Sequence, residues 1–251
     1  MPALTDPLAD YTVFAPDNDA FDALATALGT DIDGLLALEN LDEILLYHVL
    51  GASALSGDLN NGDIVTPLND ANTIKLTVTS GEMVYANQAM VTLADVTADN
   101  GVVHVIDAVI LASETVVDVA IDNSFTTLTA AVITAELLPA LTDPLASLTV
   151  FAPDNNAFDE LADALGTDLD GILALPNLAD VLLYHVVGST VLASDLENGP
   201  VTTLNGQDVE VDLTNGVMIN TATVTLADVT ADNGVVHVLS LIHISEPTRL
   251  N

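Results

Sequence analysis

Residues 91–105, VTLADVTADNGVVHV, recur letter for letter at 224–238, and PALTDPLA at 2–9 recurs at 139–146. Self-similarity at a fixed period marks a tandem array, and each unit, at about 130 residues, is long enough for a core of its own. Met1 aligns with Leu138, well inside the second unit, so the first unit is expected to begin in mid-domain, without a counterpart of 115–138. The expected division is a first domain at 1–112 that lacks its first helices and a second at 113–245. Those helices would bury apolar side chains worth roughly 1.5–3 kcal/mol each, so the first unit is expected to be the less stable of the two.

Hydrophobic residues make up 50% of the chain, but aromatics only 4% and Trp is absent, so the cores must be built mainly from Ala, Val, Leu and Ile. Chains too polar to fold do not have this composition. The 37 acidic residues face only Lys75 and Arg249, a formal net charge of −35. Such a field opposes binding to nucleic acid or to an anionic membrane. The carboxylates are scattered singly or in pairs through both units, the pattern of a diffuse surface suited to saline surroundings, where the Debye length falls to about 3 Å at 1 M salt. Clustering for Ca²⁺ is the competing explanation. The nearest pieces, Asp31-Ile-Asp33-Gly34 and Asp168-Leu-Asp170-Gly171, lack the third acidic ligand and closing Glu of an EF-hand loop.

There is no Cys, which removes disulfides, thiolate metal sites and Cys nucleophiles from consideration without fixing a compartment. No stretch reaches the 18 to 20 apolar residues of a membrane span. MPALTDPLADYT has no basic segment and no apolar core, so no signal peptide is read at the N-terminus.

Both units read as helices first and strands afterwards, the pattern of an α+β fold. TVVDVAIDNSFTTLTAAVITAELL at 115–138 carries Val116, Val119, Phe125, Leu128, Val132 and Ile133 at near-helical spacing and is expected to form two short helices. LTVFAP at 148–153 is β-favouring; Asp154 or Asn155 then caps a helix that Gly166 ends, and a further helix is expected near 177–185. Later the period falls to two: Ile74, Leu76 and Val78 alternate with Lys75, Thr77 and Thr79, which predicts a strand with one polar face. VEVDL, the turn Thr214-Asn215-Gly216 and VMIN repeat the hairpin, and each unit closes on VTLADV, Asp-Asn-Gly and VVHV.

TVFAPDNDAF (12–21) and TVFAPDNNAF (149–158), then LLYHVL (45–50) and LLYHVV (182–187), then NGVVHVIDAVIL (100–111), resemble the fasciclin, or FAS1, family in letters, order and spacing. The resemblance covers nearly all of 1–239. It implies a domain of two small β-sheets forming a wedge with helices packed at one side. It also implies adhesion or interaction with matrix and cell-surface partners in an extracellular or surface-attached protein. Family knowledge places partner contact around the Tyr-His pair, here Tyr47-His48 and Tyr184-His185. Both pairs sit in apolar runs, ILLYHVL and VLLYHVV, which favours a buried Tyr and a hydrogen-bonded core His instead. His104 and His237 are expected to anchor a turn or neighbouring strand.

No catalytic constellation stands out. There is no GxSxG elbow, no HExxH and no Gly-rich phosphate loop, and only His237 and His243 lie near one another in sequence. No cofactor, metal or catalytic residue is expected, and the chain is read as a non-enzyme. After VVHV the second unit continues as LSLIHISEPTRLN where the repeat calls for IDAVILAS, so 240–251 is read as a non-native tail. The leading expectation is a tandem adhesion or interaction protein; the alternative is an acidic ligand- or Ca²⁺-binding, stress-related module.

Overall fold

The computed structural model describes Asp6 and residues 8–242. The tail read at 240–251, including His243 and Arg249, lies outside the described residues from 243 onward. The chain divides into two compact units: one runs through Ser113 and includes Leu138–Asp143, and the other comprises Glu114–Leu137 and the chain from Pro144.

In the first unit β1 (Tyr11–Pro16) leads into α1 (Asn18–Ala27), α2 (Ile32–Leu36) and α3 (Leu41–Tyr47). Six further strands follow: β2 (Val49–Leu50), β3 (Ile64–Val65), β4 (Ile74–Val78), β5 (Val84–Ala86), β6 (Ala89–Ala98) and β7 (Gly101–Ile106). The second unit begins with α4 (Val116–Asp122) and α5 (Thr126–Thr134), then repeats the plan with β8 (Leu148–Pro153), α7 (Asn155–Leu165), α8 (Leu169–Leu173) and α9 (Leu178–Leu183). Its remaining strands are β9 (Val186–Val187), β10 (Gly199–Thr202), β11 (Asp208–Asp212), β12 (Met218–Ile219), β13 (Ala222–Ala231) and β14 (Gly234–Leu239). The short α6 (Leu138–Leu141), between α5 and β8 in the chain, packs on β4 of the first unit.

Each unit holds a seven-stranded sheet, ordered β2-β1-β7-β6-β5-β4-β3 and β10-β11-β12-β13-β14-β8-β9. The meander is antiparallel, but the first strand of each unit pairs in parallel with the last, Phe14 opposite His104 and Phe151 opposite His237. Gly101 and Gly234 open these last strands at φ 149° and 155°, and a Cβ there would run into the carbonyls of Tyr11 and Leu148. The long β6 and β13 carry bulges around Leu93 and Leu226, which bend the strand.

The local signals act as expected at the helix ends. Asp17 and Asp154 accept the N–H groups of Ala20 and Ala157 at 2.8 Å, and Gly166 ends α7 in the left-handed region at φ 66°. Lys75 departs from the expected polar face. In β4, Lys75 and Thr77 are buried along with Ile74 and Leu76, because α6 covers the side of the strand that alternation assigns to solvent. Its counterpart β11 keeps the alternation, with Val209 and Val211 buried and Glu210 exposed.

Candidate functional site

The two Tyr-His pairs terminate the last helix of each helical layer, where the chain turns into the short strands β2 and β9. All four side chains are buried: Tyr47 is 1% exposed, His48 3%, Tyr184 8% and His185 3%. A helix ending under a sheet must satisfy its last carbonyls, and the His rings do this: Nδ1 lies 2.8 Å from the Ile44 carbonyl in one copy and from the Val181 carbonyl in the other. His48 Nε2 accepts the Ile110 N–H at 3.0 Å, so Nδ1 carries the proton and the ring is neutral. Burial drives its pKa from 6.5 down to about 4, against the smaller opposing pull of the Ile44 carbonyl.

The Tyr hydroxyls reach across to the hairpins. Tyr47 donates to the Thr73 carbonyl at 2.7 Å and Tyr184 to the Asp208 carbonyl at 3.0 Å. Asn87 and Asn220, in left-handed turns at φ 51° and 52°, donate to these hydroxyls and accept the N–H groups of Lys75 and Glu210 at 2.8 Å. Each network ties a helix end to a β-hairpin through a phenol and an amide. The two Asn residues carry no motif of their own; their only signal in the sequence is a tolerated positive φ at the same point of both repeats.

His104 and His237 anchor the bulges. Nδ1 of each accepts a backbone N–H, from Asp95 at 3.3 Å and from Asp228 at 3.2 Å, which leaves the proton on Nε2 for the carbonyls of Ala54 and Val191 at 2.9 Å. Asp95 and Asp228 themselves adopt φ 58° and 59° and turn their carboxylates to the N–H groups of Ser56 and Ala193. The Ser56 hydroxyl, then its N–H, holds the Asp95 carboxyl below its ordinary pKa. Ser56, Asp95 and His104 therefore form a clasp, not a triad, because the hydroxyl donates to the carboxylate while the imidazole is committed to two backbone groups.

The calcium-like pieces are helix starts. Asp31 and Asp168 cap α2 and α8 by accepting the N–H groups of Gly34 and Gly171 at 2.9 Å. Among the described residues no three His, Asp or Glu side chains gather as a metal site would require, and no helix is long and apolar enough to cross a membrane.

Exposed apolar side chains are spread over both units, and on the helices of the first unit they line a groove. This groove of about 410 Å³ runs between α1, α2 and α3, lined by Phe21, Ile32, Leu35, Leu36 and Leu41, with Asn18 and Asp22 at its edge. Leu36 is 65% exposed and Ile32 40%. In the second unit α5 packs against α7, α8 and α9, the counterparts of these helices, and Phe158, Ile172 and Leu178 are buried there.

A model of the fasciclin domain matches residues 1–112 and 123–242. Over 247 residues the chain is 30% identical to the transforming growth factor-beta-induced protein ig-h3 of Sus scrofa, covering 95% of this chain and 35% of that protein. Over 249 residues it is 27% identical to human periostin, covering 95% of this chain and 29% of periostin. The chain thus spans about a third of the length of these relatives. It is also similar to a solved FAS1 domain pair from the insect cell adhesion molecule Fasciclin I, at 20% identity and a TM-score of 0.46 over 94% of this chain and 89% of that one. With the family model covering both copies of the repeat, this chain belongs to the fasciclin-domain family.

Proposed function

We propose that the chain is a non-enzymatic adhesion or interaction protein of the extracellular space or cell surface, built from two fasciclin domains at 1–112 and 113–245. The observation that carries this reading is how the chemistry-bearing side chains are used. His48, His104, His185 and His237 are all buried on backbone partners, and Asp31, Asp154 and Asp168 are spent as helix caps. What the molecule presents outward is a large acidic surface with an apolar groove on the first unit, suited to docking and not to bond-breaking. The relatives ig-h3 and periostin support a matrix or cell-surface setting. In this reading the Tyr-His pairs hold the domain together, and partner contact falls on the surface around them.

Cell attachment to surfaces coated with the full chain tests the proposal. Saturable attachment above that to an unrelated protein of equal net charge is the expected result. Attachment equal to the acidic control, or turnover of a substrate that is lost on changing a single carboxylate or His, would overturn it.

A further inference from the structure

Asn followed by Gly occurs six times in the chain, at Asn61, Asn100, Asn198, Asn205, Asn215 and Asn233. Asn is a labile residue, most of all before Gly, which has no Cβ to keep its backbone nitrogen away from the Asn side-chain carbonyl. The fold treats the six unequally.

Five of them are held. Asn233 is 1% exposed, and its Oδ1 accepts the Val116 N–H at 2.8 Å. Asn205 accepts the Gln207 N–H and the Thr203 hydroxyl and donates to the Asp180 carbonyl, while the Gly206 N–H is bound to the Thr203 carbonyl at 2.9 Å. Asn198 accepts the Leu213 N–H at 2.7 Å, and Gly199 already pairs with Val211 in the sheet. Asn61 accepts the Val78 N–H at 3.3 Å, and the nitrogen placed to attack it, that of Gly62, donates to the Leu76 carbonyl at 2.9 Å. Asn100 donates to the Asp6 carbonyl at 3.2 Å, and Gly101 is pressed against the Tyr11 carbonyl.

Asn215 stands apart. It lies at the tip of the hairpin between β11 and β12, where both it and Gly216 are exposed, and its side chain makes no hydrogen bond among the described residues. Gly216 sits at φ 103°, with open space where a Cβ would be. The base of the turn is fixed, since Asp212 accepts the Thr214 N–H at 2.8 Å and Asn198 holds Leu213, so the freedom is confined to the tip. The hairpin of the first unit carries Ser80-Gly81 at this place, and a Ser has no side-chain carbonyl to be attacked.

We propose that Asn215 is a site of spontaneous modification, at which the chain converts an amide into a carboxylate without an enzyme. The Gly216 backbone nitrogen attacks Asn215 Cγ and gives up its proton, the side-chain nitrogen leaves as ammonia, and a five-membered succinimide closes. Water then opens one of the two ring carbonyls. One opening gives Asp; the other gives isoaspartate, in which the main chain runs through the side-chain carbons and the turn gains a methylene. Either product adds a negative charge to a chain already at −35, and does so on the hairpin of the second unit alone. The proposal rests on the hairpin and is independent of the adhesion reading.

To test it, the full chain is incubated at mildly alkaline pH, sampled over time and cut before its Asp residues. Residues 212–227 are then released with Asn215 as their one Asn-Gly pair, and mass spectrometry follows conversion at all six sites. The Asp product is cut again at 215 and the isoaspartate is not, which separates the two openings. Asn215 is expected to convert about tenfold or more faster than any of the other five, because those must first open locally. Asn215→Ser, the residue of the sister hairpin, should remove the fast conversion and leave the other rates unchanged. In denaturant the six rates should draw together. Another Asn-Gly pair converting as fast as Asn215 in the native chain would overturn the proposal. So would a lead for Asn215 that persists undiminished in denaturant, since sequence context and not the fold would then set the order.

Discussion

At the residue scale the same physics recurs in both copies: a buried polar group is kept because it closes a backbone account that no apolar residue could. His48 allows a quantitative test. The unfolded chain takes up a proton near pH 6.5 and the native ring only near pH 4, so the neutral ring's contribution is complete above 6.5 and is lost as pH falls toward 4. The shift corresponds to roughly 3 kcal/mol at most. Carboxylate protonation in the same range relieves self-repulsion and has the opposite sign, so chemical denaturation should be followed in 1 M NaCl, where that repulsion is screened. Between pH 7 and 4.5 the wild type is expected to lose more stability than His48→Gln; parallel pH profiles would show that the ring is not the titrating group. Removing the amide that joins the hairpin to the phenol, by Asn87→Ala, is expected to cost about 1–3 kcal/mol, measured by the shift in denaturation midpoint. The fate of the Tyr-His pairs could be read from their apolar flanks. Their Asn partners could not, because they lie 40 and 36 residues from the phenols they bind.

At the scale of elements, signals within one turn of helix or one hairpin were legible and those between distant segments were not. Asp154 and Gly166 announce both ends of α7, and the spacing of Val116, Val119, Leu128 and Val132 announces the paired helices α4 and α5. Nothing in the periodicity of TVFAP says that it lies parallel to VVHV, although Gly101 and Gly234 mark where that close approach begins. The burial of Lys75 was equally hidden, since α6 arrives from more than 60 residues away. At the start of α4, the buried Asp118 carboxylate accepts both the N–H and the hydroxyl of Thr115, at 2.8 and 2.6 Å. Asp118→Ala is therefore expected to destabilise the chain by about 1–2 kcal/mol, visible as early exchange of the α4 amides in hydrogen-exchange measurements. Uniform protection of α4 in the variant would contradict that assignment.

At the scale of the whole molecule, the acidic surface and the tandem plan govern behaviour. With a net charge of −35, self-repulsion opposes compaction, and salt should relieve it. The thermal midpoint is expected to rise between 0.1 and 1 M NaCl and to follow ionic strength alone when KCl or CaCl₂ is substituted. Extra stabilisation at micromolar Ca²⁺, absent in EDTA, would revive the calcium-binding alternative. The adhesion reading divides labour between a buried Tyr-His framework and an exposed surface, and one comparison separates the two directly. Cell attachment to the full chain should be measured beside the double variant Tyr47→Phe and Tyr184→Phe, with the denaturation midpoint of each protein recorded in the same buffer. The expected result is a lower midpoint with unchanged attachment while the variant remains folded. Attachment that falls to the level of the acidic control with an unchanged midpoint would place the phenols in contact with the partner and contradict the division.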